Sequence, residues 1–288
     1  MESPLRRVLR RLEEWRAREA PPPPRNMLAP EATAGLLALQ LRYDRQLAGF
    51  YLEQLRGLDG EARRVLELGP GQTPGAALRM AAGGLEVAVV DRWLPTWHER
   101  WHGAYLRALL VESWPRSERL AACLVSKSFA PALTGAYRGG AESLGEIADG
   151  SFDAVVSNAV LEHVADLDSA ARELWRVTRP GGLGAHQIDL RDHRDFSRPL
   201  EYLTLEEQEF RALFERSHGE CGNRARGVDI VRAFAAAGFE VSPLDVLHKA
   251  DLGYLAELVP RLARAWRERP PSELEGLGVI LRVRRPVA

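Results

Sequence analysis

The stretch Val65-Leu66-Glu67-Leu68-Gly69-Pro70-Gly71-Gln72-Thr73-Pro74-Gly75 places a glycine turn directly after a short apolar run. Glycines suit a backbone that must turn sharply and bring its N–H groups within contact distance of a ligand, and Pro74 suits the first turn of a following helix. A second apolar run ends at Asp91, twenty residues beyond Gly71. A carboxylate at that place can accept hydrogen bonds from both hydroxyls of a ribose. The glycines are spaced G-x-G-x-x-x-G rather than G-x-G-x-x-G, and Glu67 stands two residues before the first of them. An anion there opposes a pyrophosphate and suits a ligand with a cationic amino group. No Gly-Lys-Ser/Thr follows, which excludes a triphosphate loop of the P-loop kind.

A second concentration of ionisable groups is His186-Gln187-Ile188-Asp189-Leu190-Arg191-Asp192-His193. It runs off the carboxyl end of an expected strand, the edge where open α/β sheets bind ligands. Alternation puts Gln187, Asp189 and Arg191 on one face and His186 and Ile188 on the other. The plainer reading is a charge-paired structural cluster. In the functional reading, the catalytic group is drawn from His193, Asp189, Asp192 and His186, with His193 or one of the aspartates removing the proton from an acceptor hydroxyl. The same His and Asp residues could instead hold a divalent ion, but the sequence alone assigns no metal.

His98-Glu99-Arg100-Trp101-His102 spells the H-E-x-x-H of zinc peptidases, with both histidines expected on one helical face. A peptidase would also need a third ligand, for which Glu112 and Glu118 are nominal candidates. Trp93, Trp97, Trp101 and Tyr105 follow one another at a spacing of four, an aromatic stripe that either faces the core or walls a ligand pocket.

These residues need elements to position them. Beyond residue 60, short apolar runs alternate with helical periodicity, the pattern of βαβ units in a doubly wound α/β sheet. Strands are expected at 64–68, 85–90, 152–157, 183–190, 239–246 and 278–283, with a short one ending near Arg138. Helices are expected at 74–82, 97–110, 167–177, 205–217, 228–237 and 254–268. Residues 31–58 carry apolar side chains at helical spacing, and 5–18 form an arginine-rich amphipathic helix candidate ended by the four prolines 21–24. Residues 1–60 thus read as a helical N-terminal extension and 61–288 as the ligand-binding domain.

The combination resembles the class I S-adenosylmethionine-dependent methyltransferases. The similarity runs from Glu67-Leu68-Gly69-Pro70-Gly71 through Asp91 to Asp149-Gly150-Ser151-Phe152-Asp153-Ala154-Val155-Val156-Ser157-Asn158-Ala159-Val160-Leu161-Glu162-His163-Val164 and Arg179-Pro180-Gly181-Gly182. It implies a Rossmann-like methyltransferase sheet with helices on both faces and S-adenosyl-L-methionine as cofactor. By that resemblance Glu67, Gly69, Pro70 and Gly71 surround the methionine part, Asp91 and Arg92 the ribose, and Ser157, Asn158 and Ala159 the transferred methyl. Members often carry an aspartate before the fourth strand that meets the adenine; here Gly139-Gly140-Ala141-Glu142 puts Gly140 in its place and leaves Ala141 and Glu142 for that role. His163 reads as a packed histidine rather than a base.

The stretch 186–193, with Asn223-Arg224-Ala225-Arg226, is similar to a bacterial subgroup acting on sugars or small metabolites, in which the insertion at 191–226 would cap the acceptor site. The implied reaction is methylation of a small-molecule acceptor, most simply at a hydroxyl. No Asp/Asn-Pro-Pro-Tyr/Phe tetrapeptide follows the fourth strand, against an exocyclic-amine DNA methyltransferase. The other expectations are a zinc peptidase on His98, Glu99 and His102, or a methyltransferase-shaped scaffold without catalysis.

A net charge of −1 over 288 residues argues against a binder of bulk nucleic acid. Two cysteines are too few for a disulfide framework, and a reducing cytoplasm is the default compartment. No apolar run is long enough to cross a bilayer, and the N-terminal helices offer a homodimer contact.

Overall fold

A computed structural model describes residues 33–56, 58 and 63–287. The helix candidate at 5–18 and the proline run lie outside the described residues. α1 (Ala34–Leu55) is a single helix, started by Thr33, whose hydroxyl accepts from the Leu36 N–H. Its buried face is Asp44, Ala48, Tyr51 and Leu55, spaced four, three and four, while Leu36 and Leu39 point to solvent. The described part of the expected extension is therefore part of the core.

The sheet contains β1 (Arg64–Leu68), β2 (Glu86–Asp91), β3 (Gly135–Arg138), β4 (Phe152–Asn158), β5 (Thr178–Asp189), β6 (Glu240–Val241), β7 (Asp245–Lys249) and β8 (Gly276–Arg284). Their order is β3-β2-β1-β4-β5-β8-β6, with β7 also paired to β8. β1 to β5 run parallel and β8 returns antiparallel to β5. The order reverses between β1 and β4, which opens a crevice at their carboxyl ends.

Period-two alternation sorts the strand side chains into two cores. Val65, Val87, Val89, Ala154 and Val156 face one layer, which contains α1, α2 (Gly75–Ala82), α3 (Ala104–Leu109) and α4 (Ser117–Ser126). Leu66, Leu68, Ala88, Val90 and Val155 face the other, with α5 (Leu167–Val177) and α7 (Gly227–Ala236). α5 begins at Asp166, whose carboxylate accepts from the Ser169 N–H at 2.9 Å.

Two expected elements are broken, each at a proline. The strand expected at 239–246 divides into β6 and β7 around Pro243, which cannot donate to a ladder. The helix expected at 254–268 is α8 (Leu252–Leu258) followed by 3-10 turns Val259–Arg261 and Arg264–Trp266, with Pro260 removing an N–H from any continuing helix. A short α9 (Pro271–Leu274) then leads into β8.

These C-terminal turns share a third core with the insertion after β5. Leu200, Tyr202, Leu203, Phe210 and Cys221 pack with Leu255, Leu258, Leu262, Trp266 and Leu274. The cap over the sheet edge is thus built from both segments, and it contains α6 (Glu207–Arg216).

Arg226 fastens the cap to the sheet. Fully buried, it donates to the carbonyls of Leu190 at 2.7 Å and Leu274 at 3.0 Å, to the Gly276 carbonyl, and to the Tyr202 hydroxyl at 3.2 Å. Replacing it leaves several buried acceptors unpaired. Arg226→Met is expected to lower the unfolding free energy by about 2–4 kcal/mol, read from the urea midpoint; an unmoved midpoint would mean that water replaces the guanidinium there.

Candidate functional site

A cavity of about 650 Å³ opens at the carboxyl ends of β1, β2 and β4. That lies within the roughly 300–1,000 Å³ of small-molecule sites. Gly69, Gly71, Asp91, Arg92, Ala141, Glu142, Asn158, Ala159 and His193, all singled out in the sequence, line it. Glu67, Pro70, Ser157, His186, Asp189 and Asp192 do not.

The glycine loop forms the floor. Gly69 and Gly71 have φ of +62° and +68°, where a side chain is strained, and a Cβ on Gly71 would meet nothing within 4 Å. Gly71 therefore presents bare backbone to open space. Gly75 is required for a different reason: a Cβ there would collide with the Asp44 carboxylate and the Tyr105 hydroxyl. The Asp91 carboxylate accepts from Gly71 N–H and from Trp93 N–H, the latter at 2.8 Å, and burial raises its pKa. It ties the loop to β2 and still faces the cavity.

The H-E-x-x-H stretch supports this loop and is not a zinc site. His98 is exposed and extended, with φ of −126°, ahead of a π-helix Glu99–Gly103, so the two histidines do not share a helical face. The His98 N–H donates to His102 Nδ1 at 2.8 Å, which makes Nε2 the donor to the Gln72 carbonyl at 3.0 Å. Both ring nitrogens of His102 are thereby engaged, and burial lowers its pKa to about 4. Trp101 Nε1 donates to Thr73 Oγ1 at 2.6 Å. The aromatic stripe divides accordingly: Trp101 and Tyr105 are core, and Trp93 walls the cavity.

Beneath the loop, Glu67 is buried, and its Oε2 has no hydrogen-bond partner. Burial first, then repulsion from Asp44, raises its pKa to about 8. Asp44 itself is pushed up to about 6, chiefly by burial. Tyr43 of α1 lines the cavity, and its hydroxyl accepts from Asn158 Nδ2 at 2.7 Å. Sequence reading passed over Tyr43 because helical periodicity marks which residues are buried, not which one turns toward a neighbouring strand end.

At the rim formed by residues 139–142, a Cβ on Gly140 would strike the Glu142 carboxylate and approach Arg92. Arg92 and Glu142 are paired at 3.0 Å, and Glu142 also accepts from the Ala165 N–H at 2.8 Å. The space beside Gly140 is thus taken up by a carboxylate borne two residues later. Ala159 holds a left-handed φ of +53° at the end of β4, where its N–H donates to the Gln187 carbonyl at 3.0 Å. Such strain in a non-glycine residue commonly marks a functional turn.

The 186–193 cluster separates. His186 is fully buried, its Nδ1 2.8 Å from Ser157 Oγ, and burial lowers its pKa to about 3. Asp192 is buried against Arg194 at 2.5 Å. Asp189 pairs with Arg191 at 2.6 Å, and its pKa is lowered by Arg191 and His193 against the effect of burial. Only His193 of these four faces the cavity, beside His163, whose ring is also on the wall. A second cavity of about 630 Å³ shares Arg92, Trp93 and His218 with the first and is lined by Phe210, Arg211 and Phe214 of α6.

With this geometry in place, residues 102–185 match the methyltransferase domain family. A 37-residue segment is 54% identical to an arsenite methyltransferase of Aquipseudomonas alcaligenes, spanning 13% of this chain and 11% of that protein. A 113-residue segment is 31% identical to a sterol 24-C-methyltransferase of Aspergillus fumigatus, spanning 39% of this chain and 27% of that protein. The chain therefore matches well under a third of the length of either relative. A Galdieria sulphuraria structure provisionally assigned as a sarcosine dimethylglycine methyltransferase superposes with a TM-score of 0.50 at 15% identity, over 85% of this chain and 86% of that one. The fold is that of Rossmann-like methyltransferases.

The buried Glu67 predicts a proton linkage. Its carboxyl is mostly protonated at pH 7, and a cationic ligand favours the ionised form, so binding should release a proton. Affinity for S-adenosylmethionine is expected to rise with pH between about 6 and 7.5, by up to about tenfold per unit. Calorimetry in buffers of different ionisation enthalpy reads the release directly, and Glu67→Gln should flatten both trends.

Proposed function

We propose that this chain transfers a methyl group from S-adenosylmethionine to a small-molecule acceptor, with a hydroxyl of a sugar or secondary metabolite as the nucleophile. The observation that carries the reading is the open cavity between bare Gly71 backbone and the Asp91 carboxylate, at the point where strand order reverses. The residues fit the cofactor. Asp91 can accept from the ribose hydroxyls, main-chain N–H groups of the loop can meet the methionine carboxylate, and Glu67, buried beneath the loop with one unpartnered oxygen, can ionise in response to a cationic ligand above it. Tyr43 and Asn158, joined by their hydrogen bond, bound the end toward β4.

In the transfer, a bond forms between acceptor oxygen and methyl carbon as the carbon–sulfur bond breaks. The sulfur leaves as a neutral sulfide, and the hydroxyl proton passes to a base or to solvent. An alcohol is a weak nucleophile until that proton is lost. His193 is our candidate for that base in the enzyme without bound metal, because of His186, Asp189, Asp192 and His193 it alone lines the cavity. Most of the acceleration would come from alignment, with the acceptor held about 3 Å from the methyl carbon.

The neighbouring cavity under α6 gives the acceptor room. Phe210, Phe214 and Trp93 offer apolar and aromatic surface, and Arg92, Arg211, Glu207 and Glu215 offer charge of both signs. This supports a cap role for 191–226. The two sequence relatives are named for arsenite and for a sterol, acceptors with little common chemistry, so the shared segments favour a common cofactor end over a common acceptor.

Asp91→Ala is expected to weaken S-adenosylmethionine binding by about a hundredfold, as loss of two charge-assisted hydrogen bonds implies. Equilibrium dialysis with the labelled cofactor measures it. Equal affinity in the variant, or no binding by the wild type, would overturn the reading; transfer of label to a hydroxyl acceptor with release of S-adenosylhomocysteine would establish the reaction.

A further inference from the structure

Glu162, His163 and His193 meet where the turn after β4 passes the segment after β5. Each offers one ligand atom, and the three atoms lie within 4.8 Å of one another. Among the described residues they form the one such group of three His, Cys, Asp or Glu side chains. Glu162 is 2% exposed; its Oε1 accepts from the Asp189 N–H at 3.2 Å, and its buried Oε2 has no partner. His163 Nδ1 lies 2.8 Å from the Gly219 carbonyl, which can only accept, so Nδ1 carries the proton and Nε2 keeps a free lone pair. His193 Nε2 is also buried without a hydrogen-bond partner. The two rings stand edge to face with centroids 5.0 Å apart.

An unpaired buried carboxylate oxygen and a buried imidazole nitrogen without a hydrogen bond are each unfavourable as pure packing. A cation between them, with the lone pair of His163 Nε2 as third donor, accounts for both. We propose that Glu162, His163 and His193 bind a first-row divalent transition-metal ion, of the zinc, cobalt(II) or iron(II) class, at the wall of the cavity. Two imidazoles with one carboxylate suit such ions rather than magnesium or calcium, which prefer all-oxygen shells. Metal–donor bonds of about 2.0–2.2 Å need donors roughly 3–4 Å apart, so small side-chain rotations close the set.

One outer group is of the kind expected around such a site. The Gly219 carbonyl orients His163 through its Nδ1–H, and the Asp189 carboxylate lies 3.6 Å from His193 Nε2, on the metal-facing side of that ring. Arg191 neutralises the far side of Asp189. Both histidines line the first cavity, so water or a ligand atom there could complete the shell. The site is defined by these side chains and stands or falls independently of methyl transfer.

The test uses the full chain without an affinity tag, stripped with chelator and titrated with cobalt(II) or zinc. One equivalent is expected to bind, with visible d–d absorption from cobalt and competition by zinc. His163→Ala, His193→Gln and the near-isosteric Glu162→Gln should each weaken binding at least about tenfold, while His98→Ala should leave it unchanged. Circular dichroism checks that each variant is folded, and if His163→Ala is not, the other two decide. Absence of stoichiometric binding, or binding that survives in the folded His193→Gln and Glu162→Gln proteins, would overturn the proposal.

Discussion

The site depends on holding a glycine loop open above a buried carboxylate. Glycine adopts the left-handed φ of Gly69 and Gly71 without strain, so the loop's shape has to be fixed by its partners. Here it is gripped on several sides. Asp91 accepts from Gly71, the Gly69 N–H donates to the Val90 carbonyl at 2.9 Å, and Trp101 and His102 bond Thr73 and Gln72 from the adjoining layer. Preorganisation of this kind means that binding need not order the loop, so less of the interaction energy is lost to entropy. The π-helix matters in the same way, because it brings the consecutive residues Trp101 and His102 both to the loop.

The parts of this arrangement that were legible in the sequence are those governed by local periodicity and turn chemistry. β1, β2, β4 and β8, the glycine loop and Asp91 all lie where apolar runs, alternation and glycine spacing put them. What misled was spacing that happened to satisfy a second pattern. His98 and His102 sit four apart, as helical zinc ligands do, but the backbone at His98 is extended, and a four-residue interval has no such meaning outside an α-helix. The cluster at 186–193 was read as one unit because it is dense in charge. A strand that leaves the sheet and turns sends its side chains in several directions, and only His193 reaches the cavity. The setting of His163 and Tyr43 was out of reach for a related reason: their partners, Gly219 and Asn158, lie 56 and 115 residues away, where no window on the chain can see them.

The cap shows a division of labour between two segments distant in sequence. The insertion after β5 supplies α6 and the residues near the ligand space, while 250–274 supplies the apolar backing against which it rests. Arg224 reinforces the seam by stacking over Phe210 at 3.6 Å and bonding the Leu205 carbonyl and Glu207. The sheet edge that holds the first cavity and the cap that walls the second are consequently separate packing units in contact, each with its own apolar interior.

Arg226 joins them through main-chain oxygens and a single tyrosine hydroxyl. Carbonyl groups are present whatever side chains surround them, so this rivet is nearly indifferent to the identity of the residues it joins. Arg211, on the wall of the second cavity, is more exposed and free of the cap's core, unlike its neighbours Phe210 and Phe214. Substitutions at the exposed positions of α6 would therefore reshape the second cavity while leaving the glycine loop and Asp91 untouched, which makes that helix the place where the chain can change one surface without disturbing the other.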